Sequence, residues 1–387
     1  MTNLLVNLVR YVPFYSLFWP PVEHALEKIA LTQVDGVGPI TSRQLISYLG
    51  GVKEVFKAKK KELLAIPGIG EKTIESIAHH TEIFKRAEEE LQFIQKHEIK
   101  MLFYTDKGYP YRLKSIEDSP ILLYYKGNAD LDHHRIVAII GTRSPTEQGK
   151  LNCEKIVEEL QAYNVLIVSG LAYGVDITAH RKSVELNIPT VGVMGNGLDK
   201  LYPSAHVSTS KKMIQHGGLL TQFTTQTKPD RENFPMRNKI VAGIADAVVV
   251  IESGIEGGSM ITADFANHYH KDVFALPGRP SDEMSSGCNT LIKRNKASLI
   301  ESASDIAHFM NWDKVTGSKE IQRTLFPDLS DKEQSVITLL KQNDFLSIDR
   351  LYTELALSPS ASAGVLLEME FKGLIKSLPG KKYMLVQ

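Results

Sequence analysis

Cysteine is scarce: Cys153 and Cys288 are the only two in 387 residues. Two thiols make no disulfide scaffold and no metal-spaced set, and they suit a reducing cytosol. An excess of either charge is also lacking. The 45 basic residues meet 45 acidic ones, so the formal net charge is +0. Such a chain has no global basic field, and any nucleic-acid site must be a local patch. Long apolar runs are missing too. The greasy start, "MTNLLVNLVRYVPFYSLFWPP", is broken by Arg10, Pro13, Pro20 and Pro21. That falls short of the roughly 20 apolar residues a membrane span needs. No charged segment precedes a clean apolar core, which argues against a signal peptide. We expect an irregular extension or a misplaced start over residues 1–25, no membrane association and a cytoplasmic location.

Cofactor and catalytic signatures are equally thin. A dinucleotide fingerprint needs G-x-G-x-x-G after the first strand, and "GTRSPTEQGK" lacks it. There is no Walker lysine motif. His79–His80 and His133–His134 are adjacent pairs, and neighbouring side chains do not converge as helix-spaced ligands do. Ser169, Asp176 and His180 can be forced into a triad, but no nucleophile elbow surrounds them. Asp176 reads better as a cap of the helix that carries His180. We therefore expect no metal, no cofactor, no catalytic residue and no enzyme.

What is present is ordinary globular material, 43% apolar and 23% charged. The length suits two or three domains. From about Leu26 to Lys100, short helices alternate with glycine turns. "VDGVGPITSRQLI" and "AIPGIGEKTIESI" are two copies of one pattern, which resembles a helix-hairpin-helix. Twelve Lys/Arg face eleven Asp/Glu in this stretch. A dedicated duplex binder is more basic, so tight turns in a small helical domain explain the pattern better than phosphate binding does.

From Arg135 the pattern changes. "RIVAII", "VLIVSG", "TVGVMG", "GLLTQF", "DAVVVIES" and "DVFALPG" alternate with helical stretches. Repeated βα wiring implies a parallel sheet covered on both faces. The first helix should start with Ser144 as N-cap, Pro145 at its first position and Glu147 closing a capping box. Cys153, Ile156, Val157 and Leu160 then form its buried stripe, which makes Cys153 a core residue. Residues 311–329 read as a linker. Residues 330–387 give three short helices and two strands around Pro379 and Gly380, which resembles a winged helix. That segment is balanced, with seven Lys/Arg and seven Asp/Glu after residue 330, and suits a protein contact better than a DNA groove.

In an open parallel sheet, ligands bind beyond the carboxyl ends of the strands. Those ends carry Gly141, Thr142, Arg143 and Ser144; Ser169, Gly170, Tyr173 and Gly174; Asn196 within "GNG"; and Gly257, Gly258 and Ser259. Several of these turns open a helix, so backbone N–H groups and helix dipoles converge on one crevice. "FPMRNK", Phe234 to Lys239, adds cations beside it. An anion site follows.

Taken in order, "GTRSPTEQGK", "IVSGLAYGVDITAH", "GNGLDKLYP", "FPMRNKIVAGIADAVVVIES", "GGSMITA", "VFALPGRP" and "GCNTLIKRNKASLI" resemble the DNA-processing protein A family, also called Smf. The likeness runs nearly unbroken from about Tyr104 to Ile300. It implies an α/β fold with an extended Rossmann-like sheet over residues 104–310, flanked by the helical domain and the winged helix. It also implies single-stranded DNA binding, a homodimer, and help in loading the RecA recombinase on incoming DNA during natural transformation. On that likeness Arg237 and Lys239 neutralise phosphates, Asn238 bonds a phosphate, sugar or base edge, and Phe234 stacks a base or walls the pocket. The chain departs from the family pattern at Tyr173, where many members carry arginine, and at "TQF", which replaces the commoner Ser-Glu-Tyr. Two other functions stay open. "GIEGGSMIT" faintly resembles the loop of Rossmann-like nucleoside-monophosphate phosphoribohydrolases, and a RecA adaptor with incidental DNA affinity would share most of these features.

Overall fold

The computed structural model describes residues 23–315, 330–341, 346–355, 359–372, 374–378 and 382–385. Most of the expected N-terminal extension and of the 311–329 linker lies outside them, as does the turn at Pro379 and Gly380. The chain divides into two units, residues 1–315 and 316–387.

Six helices come first: α1 (Ala25–Leu31), α2 (Pro39–Leu49), α3 (Val52–Lys57), α4 (Lys60–Leu64), α5 (Glu71–Ala78) and α6 (Thr81–Lys96). The two glycine patterns take the same shape. Gly36 and Gly68 both sit at φ 78°, where a side chain is strained. Gly38 and Gly70 are then the N-caps of α2 and α5. Gln44 donates to the Pro67 carbonyl at 2.7 Å and ties the first copy to the second.

The sheet follows: β1 (Lys100–Phe103), β2 (Leu122–Gly127), β3 (Ile136–Ile140), β4 (Leu166–Ser169), β5 (Thr190–Val193), β6 (Gly218–Thr221), β7 (Ala247–Val250), β8 (Asp272–Ala275) and β9 (Ser298–Leu299). Their order is β1-β2-β6-β5-β4-β3-β7-β8-β9. The run from β6 to β9 is parallel. β1 and β2 join it antiparallel, an extension the βα pattern did not announce. Met101, Phe103, Leu122 and Tyr124 carry one face of β1–β2 into the core of the helical domain. That domain and the sheet therefore share apolar surface.

Between the strands lie α7 (Tyr111–Lys114), α8 (Glu147–Leu160), α9 (Val175–Glu185), α10 (Val207–His216), α11 (Asn233–Ile244), α12 (Gly258–His268) and α13 (Ser286–Lys293), and α14 (Ala303–Met310) follows the last. They cover both faces, with Ile136, Ala138 and Val248 buried on one side and Val137, Ile139 and Val249 on the other. Cys153 is fully buried in α8, as its spacing requires. The start of α8 differs from expectation. Thr146, not Ser144, is the N-cap, and its hydroxyl accepts the Gly149 N–H at 3.0 Å. Glu252, at the end of β7, accepts the Thr146 N–H at 2.9 Å and its hydroxyl at 2.6 Å. This distant carboxylate holds Ser144 and Pro145 in the loop ahead of the helix.

The second unit has α15 (Asp331–Lys341), α16 (Ile348–Leu355) and α17 (Pro359–Phe371) over a sheet of β10 (Leu346–Ser347), β11 (Ile375–Leu378) and β12 (Lys382–Leu385). The strand order β10-β12-β11, antiparallel throughout, is that of a winged helix.

Candidate nucleic-acid interface

Strand order reverses at β3. β4, β5 and β6 lie to one side of it, and β7, β8 and β9 to the other. A crevice opens at such a switch point. Here it is a cavity of about 480 Å³, lined by the turns after β3, β4 and β7 and by the first turns of α11 and α12.

Of the residues expected from sequence, the cavity gathers Gly141, Thr142, Arg143, Gly170, Phe234, Arg237, Asn238, Gly257, Gly258 and Ser259. Gly257 is the N-cap of α12, so the first N–H groups of that helix open on the cavity. Asn238 donates to the Gly258 carbonyl at 3.5 Å and links α11 to α12. The Ser259 hydroxyl donates to Ser253 Oγ at 2.7 Å.

The two arginines differ. Arg143 is exposed, with its guanidinium 5.4 Å from the Phe234 ring centroid. Arg237 is only 5% exposed. Its Nη1 stands 3.8 Å from Asp176 Oδ2 and donates to the Val193 carbonyl at 3.3 Å, while its Nε finds no partner among the described residues. Gly170 is what lets it in. A Cβ there would fall 1.3 Å from Arg237 Nη1. Burial pushes the guanidinium pKa down, the Asp176 charge opposes that shift, and Arg143 adds repulsion. Burial likewise pushes the Asp176 carboxyl up, against the pull of Arg237. Asp176 also accepts the Ala172 N–H at 3.2 Å, but it lies inside α9. Gly174, at φ 78°, is the N-cap.

The other expected residues stand elsewhere. Ser169 is buried and donates to the Ile139 carbonyl. Asn196 is buried and donates to the Gly197 and Lys200 carbonyls, which shapes its own turn. Ser144 is exposed, with its N–H on Thr142 Oγ1. A Cβ on Gly174 would lie 2.3 Å from the Thr142 carbonyl oxygen, so that glycine lets the two turns touch. Lys239 is half-buried and pairs with Asp118 at 2.6 Å, and Tyr269 donates to the same carboxylate at 2.9 Å. Tyr173 is 49% exposed and sets its ring edge-on to His206, 4.8 Å between centroids. Sequence reasoning passed over Arg231, which lines the cavity and is exposed. Its signal was its place three residues before Phe234. Among the described residues no His, Cys, Asp and Glu group could hold a metal ion.

Fold and site define a Rossmann-like α/β protein with a cationic, aromatic-walled crevice at its switch point, a class suited to anionic ligands. The chain belongs to the DNA recombination-mediator protein A family, whose model matches residues 100–311. A DprA winged helix domain matches 323–381, and a SAM-like helix-hairpin-helix tandem matches 28–79. Protein Smf of Synechocystis is 30% identical over 393 residues, covering 92% of this chain and 97% of its own. The DNA processing protein DprA of Streptococcus pneumoniae is 38% identical over 201 residues, 52% of this chain and 71% of its own. The X-ray structure of that protein covers 74% of this chain and 98% of its own at a TM-score of 0.64 and 29% identity. A Helicobacter pylori structure, described by its single-stranded DNA binding mode, covers 56% and 98% at 0.51, also 29% identical.

Proposed function

We propose that this protein binds single-stranded DNA in the crevice, protects incoming DNA and helps load RecA on it during natural transformation. It acts as a homodimer in the cytoplasm, without a chemical step. The observation that carries the reading is the cavity itself. Arg143 and Arg231 stand exposed on its wall beside Phe234, and the α12 N-terminus opens on it. Cations that follow a backbone and a ring on which a base stacks are the general solution for single strands. The one carboxylate among the lining residues, Asp176, is engaged by Arg237, which leaves no evident acid or base. The DNA-processing names of the relatives and the single-strand description of the Helicobacter pylori protein support the same reading. The homodimer and RecA parts rest on family membership. Among the described residues no helix is long and apolar enough to cross a membrane.

The test is a gel shift of labelled oligo-dT against duplex of the same length at two salt concentrations. The single strand should bind tighter, stay intact, and weaken as salt rises. Tight duplex binding, cleavage of the oligonucleotide, or release of adenine from AMP would remove the reading.

A further inference from the structure

Arg231 and Phe234 reach the cavity at the end of a long connection. It leaves β6 at Thr221, runs through Gln222–Glu232 and enters α11 at Asn233. A connection of this length is free to wander unless something fixes it. Two carboxylates do so at its middle. Glu90 Oε2 accepts the Thr225 N–H at 2.8 Å and the Thr225 hydroxyl at 2.5 Å. Asp199 Oδ2 accepts the Gln226 N–H at 3.2 Å. Gln226 itself sits at φ 66°, a conformation that a side chain adopts only when its surroundings impose it.

Glu90 is out of place by ordinary packing rules. It lies on α6 in the helical domain and is 4% exposed. Burial pushes its carboxyl up, with Asp199 adding to the rise and Thr225 and Arg86 opposing it. A buried carboxylate costs stability unless its bonds repay desolvation, and an apolar residue would suit α6 better. Its bonds reach across to the loop that ends at the crevice. We propose that Glu90 is a positioning residue for the crevice: it lets the helical domain hold the Gln222–Glu232 loop so that Arg231 and Phe234 stand at the cavity wall. The helical domain then contributes to DNA binding through this clamp, without touching the strand.

The proposal rests on the single-strand reading, and the experiment separates the two. Oligo-dT affinity, its salt slope and the melting temperature are measured on the full chain for Glu90→Leu, Glu90→Gln and Arg143→Ala. Glu90→Leu should weaken binding roughly tenfold and flatten the log–log salt slope by about 0.7, the share of one phosphate contact. Adding Arg231→Ala to Glu90→Leu should cost little more. Glu90→Gln should keep wild-type affinity, because its amide oxygen still accepts the Thr225 N–H. A merely structural Glu90 would shift the melting temperature and leave the slope alone. Should Glu90→Leu fail to fold, Thr225→Val removes one of the two bonds without altering the helical domain. Its expected loss is about threefold. Wild-type affinity and slope in the folded variant, with Arg143→Ala weakened, overturns the proposal alone. Wild-type affinity in Arg143→Ala as well overturns the crevice reading and the proposal with it.

Discussion

Arg143 and Arg237 are both crevice arginines, yet replacing them should have very different effects on stability. Arg237 is 5% exposed and its carboxylate partner Asp176 is 7% exposed. Their closest approach, 3.8 Å, makes an ion pair, with further bonds to the Val193 carbonyl and the Ala172 N–H. Arg237→Met leaves a buried carboxylate without a counter-charge, which costs about 3–5 kcal/mol. Replacing both partners is far milder, because the desolvation problem disappears with the charges. Arg237→Met with Asp176→Asn should therefore regain most of the lost stability, since asparagine keeps an acceptor for Ala172. The double variant should not regain DNA affinity. Arg143 is exposed, and Arg143→Ala should hold stability to within about 0.5 kcal/mol. It should still flatten the salt slope by about 0.7. Urea unfolding gives the stabilities, and oligo-dT titration at two salt concentrations gives the slopes. A loss under about 1 kcal/mol in Arg237→Met, or a double variant as unstable as the single, would refute the buried-pair argument.

Three further expectations concern other parts of the chain. If Tyr173 stacks a base, Tyr173→Phe is neutral, Tyr173→Ala costs about 1–3 kcal/mol of oligo-dT affinity, and Tyr173→Arg restores affinity with a steeper salt slope; a lower melting temperature with unchanged affinity shows that the ring only packs on His206. His180 is fully buried, with Nδ1 2.7 Å from Thr190 Oγ1, and burial, His206 and Arg237 hold its pKa down to about 3. The unfolded chain then binds the extra proton between pH 6.5 and 3, so stability falls as pH drops through that window, by about 2 kcal/mol from pH 7 to 5; the loss should be absent from His180→Gln, whereas equal pH dependence in the two proteins refutes it. Ending the chain after Asp328 should keep most single-strand affinity, because the exposed residues described on α17 include Ala363, Gly364, Leu367 and Glu368 and no cation, and Lys372 pairs with Glu333 at 2.7 Å. Collapse of affinity in a folded remainder would show that the winged helix binds DNA.

The strands from β3 to β8 were legible because all but Asp272 at the start of β8 are buried and each lies in a short apolar run between helical stretches. β1 and β2 were not. "LLYYKG" finds its partners in β6, about a hundred residues on, and in a helical domain that covers its other face. No alternation or βα rhythm marks it. The N-cap of α8 failed for a similar reason. Locally Ser144 is the stronger candidate, with Pro145 and Glu147 behind it, and Thr146 is selected instead by Glu252, which lies far along the chain. "FPMRNK" announced a cationic stretch but not which of its cations reaches the cavity. That depends on Asp176, Asp118 and Gly170, none of which is a neighbour in sequence.

A chain of zero net charge can still present a cationic crevice, and the structure shows how. The number of arginines matters less than the commitments of the nearby carboxylates. Asp176 answers Arg237. Glu252 accepts the Thr146 N–H and hydroxyl and is 8% exposed. Asp118 answers Lys239 outside the cavity. Each of these three carboxylates is turned toward a partner inside the fold, while Arg143 and Arg231 stand exposed on the cavity wall. A field at close range is set by the charges nearest the cavity, since distant ones are screened within about 8–10 Å at ordinary salt. Composition sums over all of them and so conceals the site. The turns, through the side-chain approach that Gly170 allows and the backbone approach that Gly174 allows, decide which charges are matched.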